Sequence, residues 1–421
     1  MKFEYVVSGI GHVIKNMNVF TEDPIVVEFV KKCFNVLQQD KENHSFSVLF
    51  NAYTEKRLGE KLFNTYKNDV KNLYADSGGL QMITRGHTVT EQLKQDVYTV
   101  QSQYSDIGMS FDEIPIVMMG ERSEFSDIKG RYFDRSILKE KAIATGQNLL
   151  KQIDFFLDSK TQCKPMMIIQ GNDLETYQEW IDHIVDVVGI EKMKYVCGIS
   201  SGAAALGQGQ LEDYKRLFIL SQLQYPSEFN SNHYHFLGVG AVKRLIPLIA
   251  LKDRFKDKLI SYDSTTHALG PTMGTYYIDY YQKVFFQQKR QENFQYCVDN
   301  INRNAVSLGL DEIPIEHFKY RIAHPKEWND WEHGSQENSY RILFTFFVSS
   351  VYNFMKYVND VYKDENIFRW FLDDNNLLTE TIEYAKCRDY TDFMDWYNTY
   401  GKGINSLAVM SKKPETFEDL I

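Results

Sequence analysis

The chain has 421 residues, enough to bury a large core as one barrel-sized domain with additions or as several smaller domains. Hydrophobic residues make up 43%, charged residues 25% and aromatic residues 14%, which excludes an intrinsically disordered protein. The formal net charge of -10 excludes a globally basic protein, so contact with nucleic acid would require a local basic patch.

The cysteines are scattered and form neither a CxxC pair nor a Cys/His cluster with zinc-ligand spacing. We therefore expect a reducing compartment and no metal site. The N-terminal stretch lacks the apolar core of a signal peptide, and no continuous apolar run reaches the length of about 18 residues that a membrane span needs. These features predict a soluble cytoplasmic protein without a membrane partner.

Short apolar runs alternate with longer segments of helical period between residues 45 and 265, which is typical of βα units around a parallel sheet. Seven such units are recognisable, so a barrel lacks one strand and a doubly wound sheet is the competing fold. The predicted strands, in chain order, are 46–53, 72–79, 107–113, 165–171, 195–202, 235–240 and 258–264.

The pattern changes after residue 275 to a Tyr- and Phe-rich region of helical period. We predict an α/β fold, a (β/α)8 TIM-type barrel over residues 1–275, with a helical appendage over 276–421 packed on it. We expect this appendage to contain the strand that closes the barrel.

Almost every predicted strand ends in a polar residue or glycine. In a barrel these ends converge on one face, where barrel active sites are assembled, whereas an open sheet would separate some of them. Each polar residue alone is explained by a helix cap or a turn, but several on successive strand ends favour a site. The residues concerned are Asp76, Asp112, Gln170, Gly238 and Asp263.

The string DSGGLQ at 76–81 is the sharpest local signal. Its two glycines allow backbone amides to approach a ligand, and Asp76 lies at the strand end. The alternative is an ordinary strand-to-helix turn in which Asp76 is the helix N-cap.

Six motifs follow one another along the chain in this order: DSGGLQ, SFDE, IIQG, CGISSG, LGVG and SYDS. That order resembles the tRNA-guanine transglycosylase family, over roughly residues 45 to 265. The resemblance implies base exchange in a nucleic acid: Asp263 matches the nucleophile that attacks C1′, and Asp76 matches the carboxyl that acts as acid and base. It implies no metal or redox cofactor for the chemistry.

The resemblance also implies a pocket for a guanine-like base. Asp112 and Gln170 match groups that hydrogen-bond the heterocycle, and Gly198 and Ile199 match a backbone segment that lines it. Ser77 lies beside the base and Gly238 closes its edge. The implied partners are a nucleic acid whose target base leaves its stack, and a free 7-deazaguanine base. A protein partner or a homodimer stays open.

Three features depart from the family pattern. The family's zinc-binding Cys-x-Cys-x-x-Cys motif is missing after Asp263, Leu80 replaces an aromatic ring that stacks on the base, and Ile114 replaces a pocket cysteine. Loss of the zinc subdomain, which supports tRNA binding in the family, favours the branch that modifies DNA, the DpdA-type DNA-guanine transglycosylases that insert a base such as preQ0.

Alternatives to the DNA enzyme stay open. The chain could modify tRNA, it could be a catalytically idle accessory subunit, or it could be an unrelated barrel lyase or hydrolase acting on a small molecule. Retention of both Asp76 and Asp263 argues against an idle site. Two groups of side chains have either a functional or a merely structural explanation. His267, Lys243 and Arg244 could contact phosphate, and His324, His333 and Cys387 could form a new metal site.

Overall fold

The computed structural model describes most of the chain. Its described residues are 1–16, 23–39, 44–79, 88–119, 130–229, 232–272, 275–278, 283–285, 291–313 and 336–409.

Eight parallel strands close into a barrel, in the order β1-β10-β9-β8-β7-β4-β3-β2. Two further pairs of short antiparallel strands, β5 with β6 and β11 with β12, lie outside the barrel. The strands are β1 (Lys2–Ser8), β2 (His44–Asn51), β3 (Leu73–Asp76), β4 (Ile107–Met109), β5 (Ile116–Met118), β6 (Arg131–Phe133), β7 (Lys164–Ile169), β8 (Ile199–Ser201), β9 (His233–Phe236), β10 (Leu259–Ser264), β11 (Thr275–Tyr277) and β12 (Lys283–Phe285).

Helices alternate with the barrel strands and continue after the last of them. They are α1 (Gly11–Asn16), α2 (Pro24–Leu37), α3 (Lys56–Tyr66), α4 (Glu91–Tyr104), α5 (Leu138–Asp158), α6 (Leu174–Val188), α7 (Ile190–Met193), α8 (Gln210–Gln222), α9 (Val242–Ala250), α10 (Thr266–Thr272), α11 (Gln291–Ser307), α12 (Gln336–Lys363), α13 (Glu365–Asp374), α14 (Leu378–Lys386) and α15 (Tyr390–Tyr400). The predicted (β/α)8 barrel with a helical C-terminal region is therefore confirmed, and the doubly wound alternative is wrong.

The closing strand is N-terminal, so the expectation that the C-terminal region supplies it is wrong. Strand β1 pairs with β10 on one side and with β2 on the other. A buried charge, Glu4, interrupts its apolar pattern, and that carboxylate accepts hydrogen bonds from Ser47 and Asn72 inside the barrel. Sequence reasoning missed this strand because Glu4 resembles a surface residue in the local sequence. The partners that allow its carboxylate to face the barrel interior lie far along the chain.

The long helix α12 covers the side of the barrel where β10 meets β1. Its Phe354 ring contacts the outward-facing rings of Tyr5 and Tyr262, with centroids 5.0 Å and 6.0 Å away. It also packs on α2 and α10, and Phe344 and Phe347 belong to the main apolar core. This helix thus occupies the position of the eighth outer helix of a barrel.

The last two helices pack on α8 through aromatic rings. Tyr214 stacks on Trp396 with centroids 5.2 Å apart, and Phe218 stacks on Phe393 at 4.7 Å. The region after residue 275 is not entirely helical, since β11 and β12 lie within it. None of the helices among the described residues combines the length and apolarity needed to cross a membrane.

Candidate functional site

A cavity of about 540 Å³ opens at the carboxyl ends of the barrel strands. Asp76 ends β3, Gln170 follows β7, and Asp263 lies near the end of β10, which is why these strand ends share one mouth. Asp112 and Gly238 line the same space. Five of the eight sequence-predicted site residues are therefore brought together, while their chemical roles stay predictions.

Asp76 lies half-buried in the cavity wall. The turn after it needs glycine at Gly78, whose φ is +79°, and the amides of Ser77 and Gly78 donate hydrogen bonds to the Asp76 carboxyl. Burial, together with the neighbouring carboxyls of Asp112 and Asp263, raises the pKa of Asp76 to about 7. A carboxyl with that pKa can both give and take a proton near neutral pH.

Asp112 and Gln170 form a hydrogen-bonded pair in the wall of the cavity. The Gln170 side chain is 2% exposed, and its Nε2 donates to Asp112 Oδ2 over 2.7 Å. Burial raises the pKa of Asp112 to about 6, against the lowering effect of that hydrogen bond. Among the described residues, Gln170 Oε1 has no hydrogen-bond partner. The pair thus offers acceptors to a ligand that carries N–H groups.

Gly202 makes room for this pair. A Cβ at position 202 would lie 2.4 Å from Gln170 Nε2, so any side chain there would displace the amide. The loop after β8 lines the cavity through Gly202, Ala203 and Ala204.

Asp263 lies on the interior face of β10 and is 7% exposed. Its Oδ1 accepts a 2.8 Å hydrogen bond from the amide of Gly238, and His235 Nε2 lies 3.6 Å from the same oxygen. Gly238 has a φ of +77°, a conformation that glycine adopts at little cost. The turn after β9 thus aims a backbone donor at the carboxylate.

A buried ion cluster holds that turn. Asp213 on α8 accepts hydrogen bonds from Arg216 over 2.8 Å and from Arg244 over 2.5 and 2.9 Å. Arg216 donates onward to the carbonyl of Leu237 over 3.2 Å, and Arg244 donates to the carbonyl of Gly238. The suggestion that Arg244 contacts a nucleic-acid phosphate is not supported, because its guanidinium is committed to Asp213 and the turn.

Gly198 and Ile199 do not line the cavity, which corrects their expected placement. Gly198 precedes β8 and packs against His233, at the end of the strand away from the mouth. Ile199 is fully buried in the main core, on the outer face of the strand. Ser77 is also buried outside the cavity lining, where its Oγ lies 3.4 Å from the amide of Gly79 and accepts from it.

His267 is likewise placed away from the mouth. It is fully buried in α10, where Nδ1 bonds to the Tyr5 hydroxyl over 2.5 Å. His267 is therefore neither a phosphate contact at the cavity nor a solvated loop residue. Ile114 lines the cavity. Leu80, Gln81, His324 and His333 lie outside the described residues.

Sequence reasoning missed two buried residues at the site. Arg131, on β6, is 5% exposed and lines the cavity, so the cavity that contains the carboxyls also contains a cationic side chain. His235 approaches Asp263 from within the barrel. The alternation of histidines in HYHF, with His233 and His235 on one face, was the available signal for the second.

The cavity therefore combines a carboxyl able to exchange protons, a carboxylate with one oxygen held by a backbone amide, and an amide–carboxyl pair suited to N–H donors. Within the described ranges, no group of three or more His, Cys, Asp or Glu side chains is arranged to hold a metal ion. Comparison with protein-family models and with curated proteins returned no match.

Proposed function

We propose that this chain exchanges guanine in a polynucleotide, with DNA favoured, for a 7-deazaguanine base such as preQ0, through a covalent glycosyl–Asp263 intermediate. The observation that carries the proposal is the convergence of Asp76 and Asp263 on one cavity beside the Asp112–Gln170 pair. The order of motifs shared with the guanine transglycosylases supports it independently.

The first half-reaction breaks the bond between C1′ and the departing guanine. An oxygen of Asp263 forms a bond to C1′ as the glycosidic electron pair moves onto the base, and the Asp76 carboxyl supplies the proton that the base takes with it. The raised pKa of Asp76, about 7, suits that role because a protonated carboxyl is present at neutral pH.

The second half-reaction runs the same steps in reverse with a different base. Asp76, now ionised, takes the ring N–H proton of the incoming base, whose nitrogen attacks C1′ as the ester bond to Asp263 breaks. The proton and the carboxylate are thereby both regenerated. No external oxidant, reductant or hydrolytic water enters this balance.

Base recognition is supported by the acceptors in the cavity wall. Guanine and preQ0 present adjacent N–H donors on one edge, and Gln170 Oε1 with the Asp112 carboxyl presents acceptors. A site that hydrogen-bonds a heterocycle in this way rejects analogues lacking the donors, because buried acceptors would be left unpaired.

Transfer of radiolabelled guanine or preQ0 tests the proposal. The purified chain is incubated with the labelled base and with duplex DNA, single-stranded DNA or tRNA, and label in the polymer is measured. We expect label in DNA, abolished by Asp263→Asn and unaffected by Asp186→Asn, an exposed carboxylate on α6. Label confined to tRNA would instead assign the tRNA-modifying activity, and no label in any polymer would refute base exchange.

A further inference from the structure

His235 is a fully buried histidine in the barrel interior, directly beneath Asp263. In β9 it shares the interior face with His233, and in the pairing of β9 with β10 it lies opposite Ser261. The ring of Tyr74 stacks on it with centroids 5.5 Å apart. These contacts fix the plane and direction of the imidazole.

Ser261 determines which histidine nitrogen carries a proton. Its Oγ lies 2.8 Å from His235 Nδ1 and 2.6 Å from His233 Nε2. A serine hydroxyl has one proton, so it donates to one of these nitrogens and accepts from the other. Burial and the neighbouring His235 lower the pKa of His233 to about 3, so His233 is neutral.

The remaining nitrogen of His235 faces a carboxylate. Nε2 is buried without a hydrogen-bond partner among the described residues, and Asp263 Oδ1 lies 3.6 Å from it. A bare Nε2 lone pair pointed at a carboxylate would be repelled, whereas Nε2–H is attracted. The favourable arrangement therefore has Ser261 donating to Nδ1, with the proton of His235 on Nε2.

Two donors consequently converge on one oxygen of Asp263. The amide of Gly238 donates to Oδ1 over 2.8 Å, and His235 Nε2 approaches the same atom from below. Within the described part of the chain, Oδ2 accepts no hydrogen bond, and Asp263 lines the cavity.

We propose that His235 is a positioning residue for Asp263: with Gly238 it holds Oδ1, so that Oδ2 is the oxygen that bonds to C1′. This inference rests on the proposed base exchange. The separation of 3.6 Å exceeds a hydrogen bond, and such contacts shorten when a reactive complex forms. The two donors stabilise the carboxylate relative to the ester, in which Oδ1 is a weaker acceptor.

This arrangement affects the two half-reactions differently. When the incoming base attacks C1′, the C1′–Oδ2 bond breaks and its electron pair returns to the carboxylate, where Gly238 and His235 stabilise the charge on Oδ1. Loss of His235 should therefore slow release of the adduct more than it weakens binding of DNA or of the free base.

A matched pair of variants tests the inference. His235→Phe keeps a planar ring and removes the donor, while His235→Gln places an amide N–H near the position of Nε2. We expect His235→Phe to slow breakdown of the isolated covalent adduct by about tenfold, the effect of losing one hydrogen bond to a charged group, with base affinity nearly unchanged. His235→Gln should recover most of that rate.

A second readout does not depend on activity. In protein with isotope-labelled histidine nitrogens, nuclear magnetic resonance identifies His235 as the signal absent from His235→Gln, and its couplings show which nitrogen is protonated. We expect a proton on Nε2. An unprotonated Nε2 would overturn the inference even if the wild-type chain exchanged no base.

The kinetic outcomes separate the two proposals. If the wild-type chain labels no polymer, base exchange fails, and the position of the proton still decides the geometry proposed for His235. If the wild-type chain exchanges base and His235→Phe releases its adduct at the parental rate, base exchange stands and the positioning role is wrong. Equal slowing by Phe and Gln would also refute it, because a donor at that position would then not matter.

Discussion

Gln170 reaches Asp112 only because position 202 carries no side chain: the amide Nε2 donates to Asp112 Oδ2 over 2.7 Å in the space that a Cβ of residue 202 would fill. The Gln170 amide beside position 202 thus explains why this residue is glycine. The backbone conformation of Gly202 itself imposes no such requirement, since it is not among the residues with positive φ.

We therefore expect Gly202→Ala to impair base binding while leaving the fold intact. The methyl group would displace the flexible end of Gln170, not backbone, and so break its bond to Asp112. Once that bond is broken, Gln170 and Asp112 no longer hold each other in the position that binds the base. Because a hydrogen bond to a charged group is lost, guanine or preQ0 should bind about tenfold more weakly. Titration calorimetry with the free base measures this. Gly403→Ala is the control, since a Cβ there meets nothing within 4 Å, and equal affinities in the two variants would contradict the expectation.

Asp76→Asn should stabilise the protein in a pH-dependent way. The folded-state pKa is raised from 3.8 to about 7, so the folded chain holds a proton that the unfolded chain has lost at intermediate pH. Stability contributed by this group is therefore present at low pH and is lost as pH rises between those values. Asparagine cannot ionise, so the variant does not lose this stability. Above the folded-state pKa, its free energy of unfolding should exceed that of the parent by on the order of a few kcal/mol.

Urea unfolding of both proteins at pH values near the two ends of that window measures the difference. We expect Asp76→Asn and the parent to be similar in stability near the lower end and the variant to be more stable above the upper end. Asp186→Asn, on an exposed surface, controls for loss of a charge. A gain that is the same at both ends would show that burial of the Asp76 charge is not its cause.

Asp213→Asn should be among the most destabilising single changes in the chain. The Asp213 side chain is 2% exposed and offsets the charges of Arg216 and Arg244. Removing the carboxylate leaves buried cations without their counterion, which costs about 3–5 kcal/mol in comparable cases. Thermal or denaturant unfolding measures it, with Glu365→Gln, in an exposed pair with Arg369, as the matched change that should leave the midpoint where it was.

The same cluster offers a milder test of how the turn at Gly238 is held. Arg244→Lys keeps the charge but cannot reach both Asp213 and the Gly238 carbonyl with one planar group. We expect the rate of base exchange to fall by a larger factor than the equilibrium constant for folding. Parental exchange in this variant would mean that the turn is rigid without the arginine.

The barrel was predictable because a polar residue marks the end of several of its strands in the local sequence. Three apolar runs end in a polar residue, at Asp76, Gln170 and Asp263. In the helices between them, apolar residues recur at the three- and four-residue steps of a buried helix face. The run 195–202 has no such single stop. It carries a glycine at 198 and another at 202, and only the fold shows that β8 occupies Ile199–Ser201, with Gly202 at the mouth.

The remaining features depend on contacts between distant parts of the chain. Glu4 is tolerated in a barrel strand because Asn72 and Ser47 donate to it, and His235 faces Asp263 because two strands are in register. Arg131 lines the cavity from β6, a short strand outside the barrel that no periodic pattern marks. No local window of sequence contains these pairings, so they could not be read from it.

Loss of the Asp263 carboxylate should separate base exchange from mere binding. Asparagine keeps the shape of the side chain, and its amide oxygen can still accept the hydrogen bond from Gly238. It lacks the carboxylate that would attack C1′, so Asp263→Asn should bind DNA and free base nearly as the parent does and exchange nothing. The parent, incubated with DNA but no replacement base, should accumulate a denaturation-resistant adduct, detected as a shifted band and as a mass increment on the peptide containing Asp263. Asp76→Asn should slow both formation and release of that adduct while binding persists, because proton transfer to and from the base is lost. Near-parental exchange by Asp263→Asn would eliminate the covalent mechanism, and an adduct mapped to another carboxyl would move the nucleophile elsewhere in the cavity.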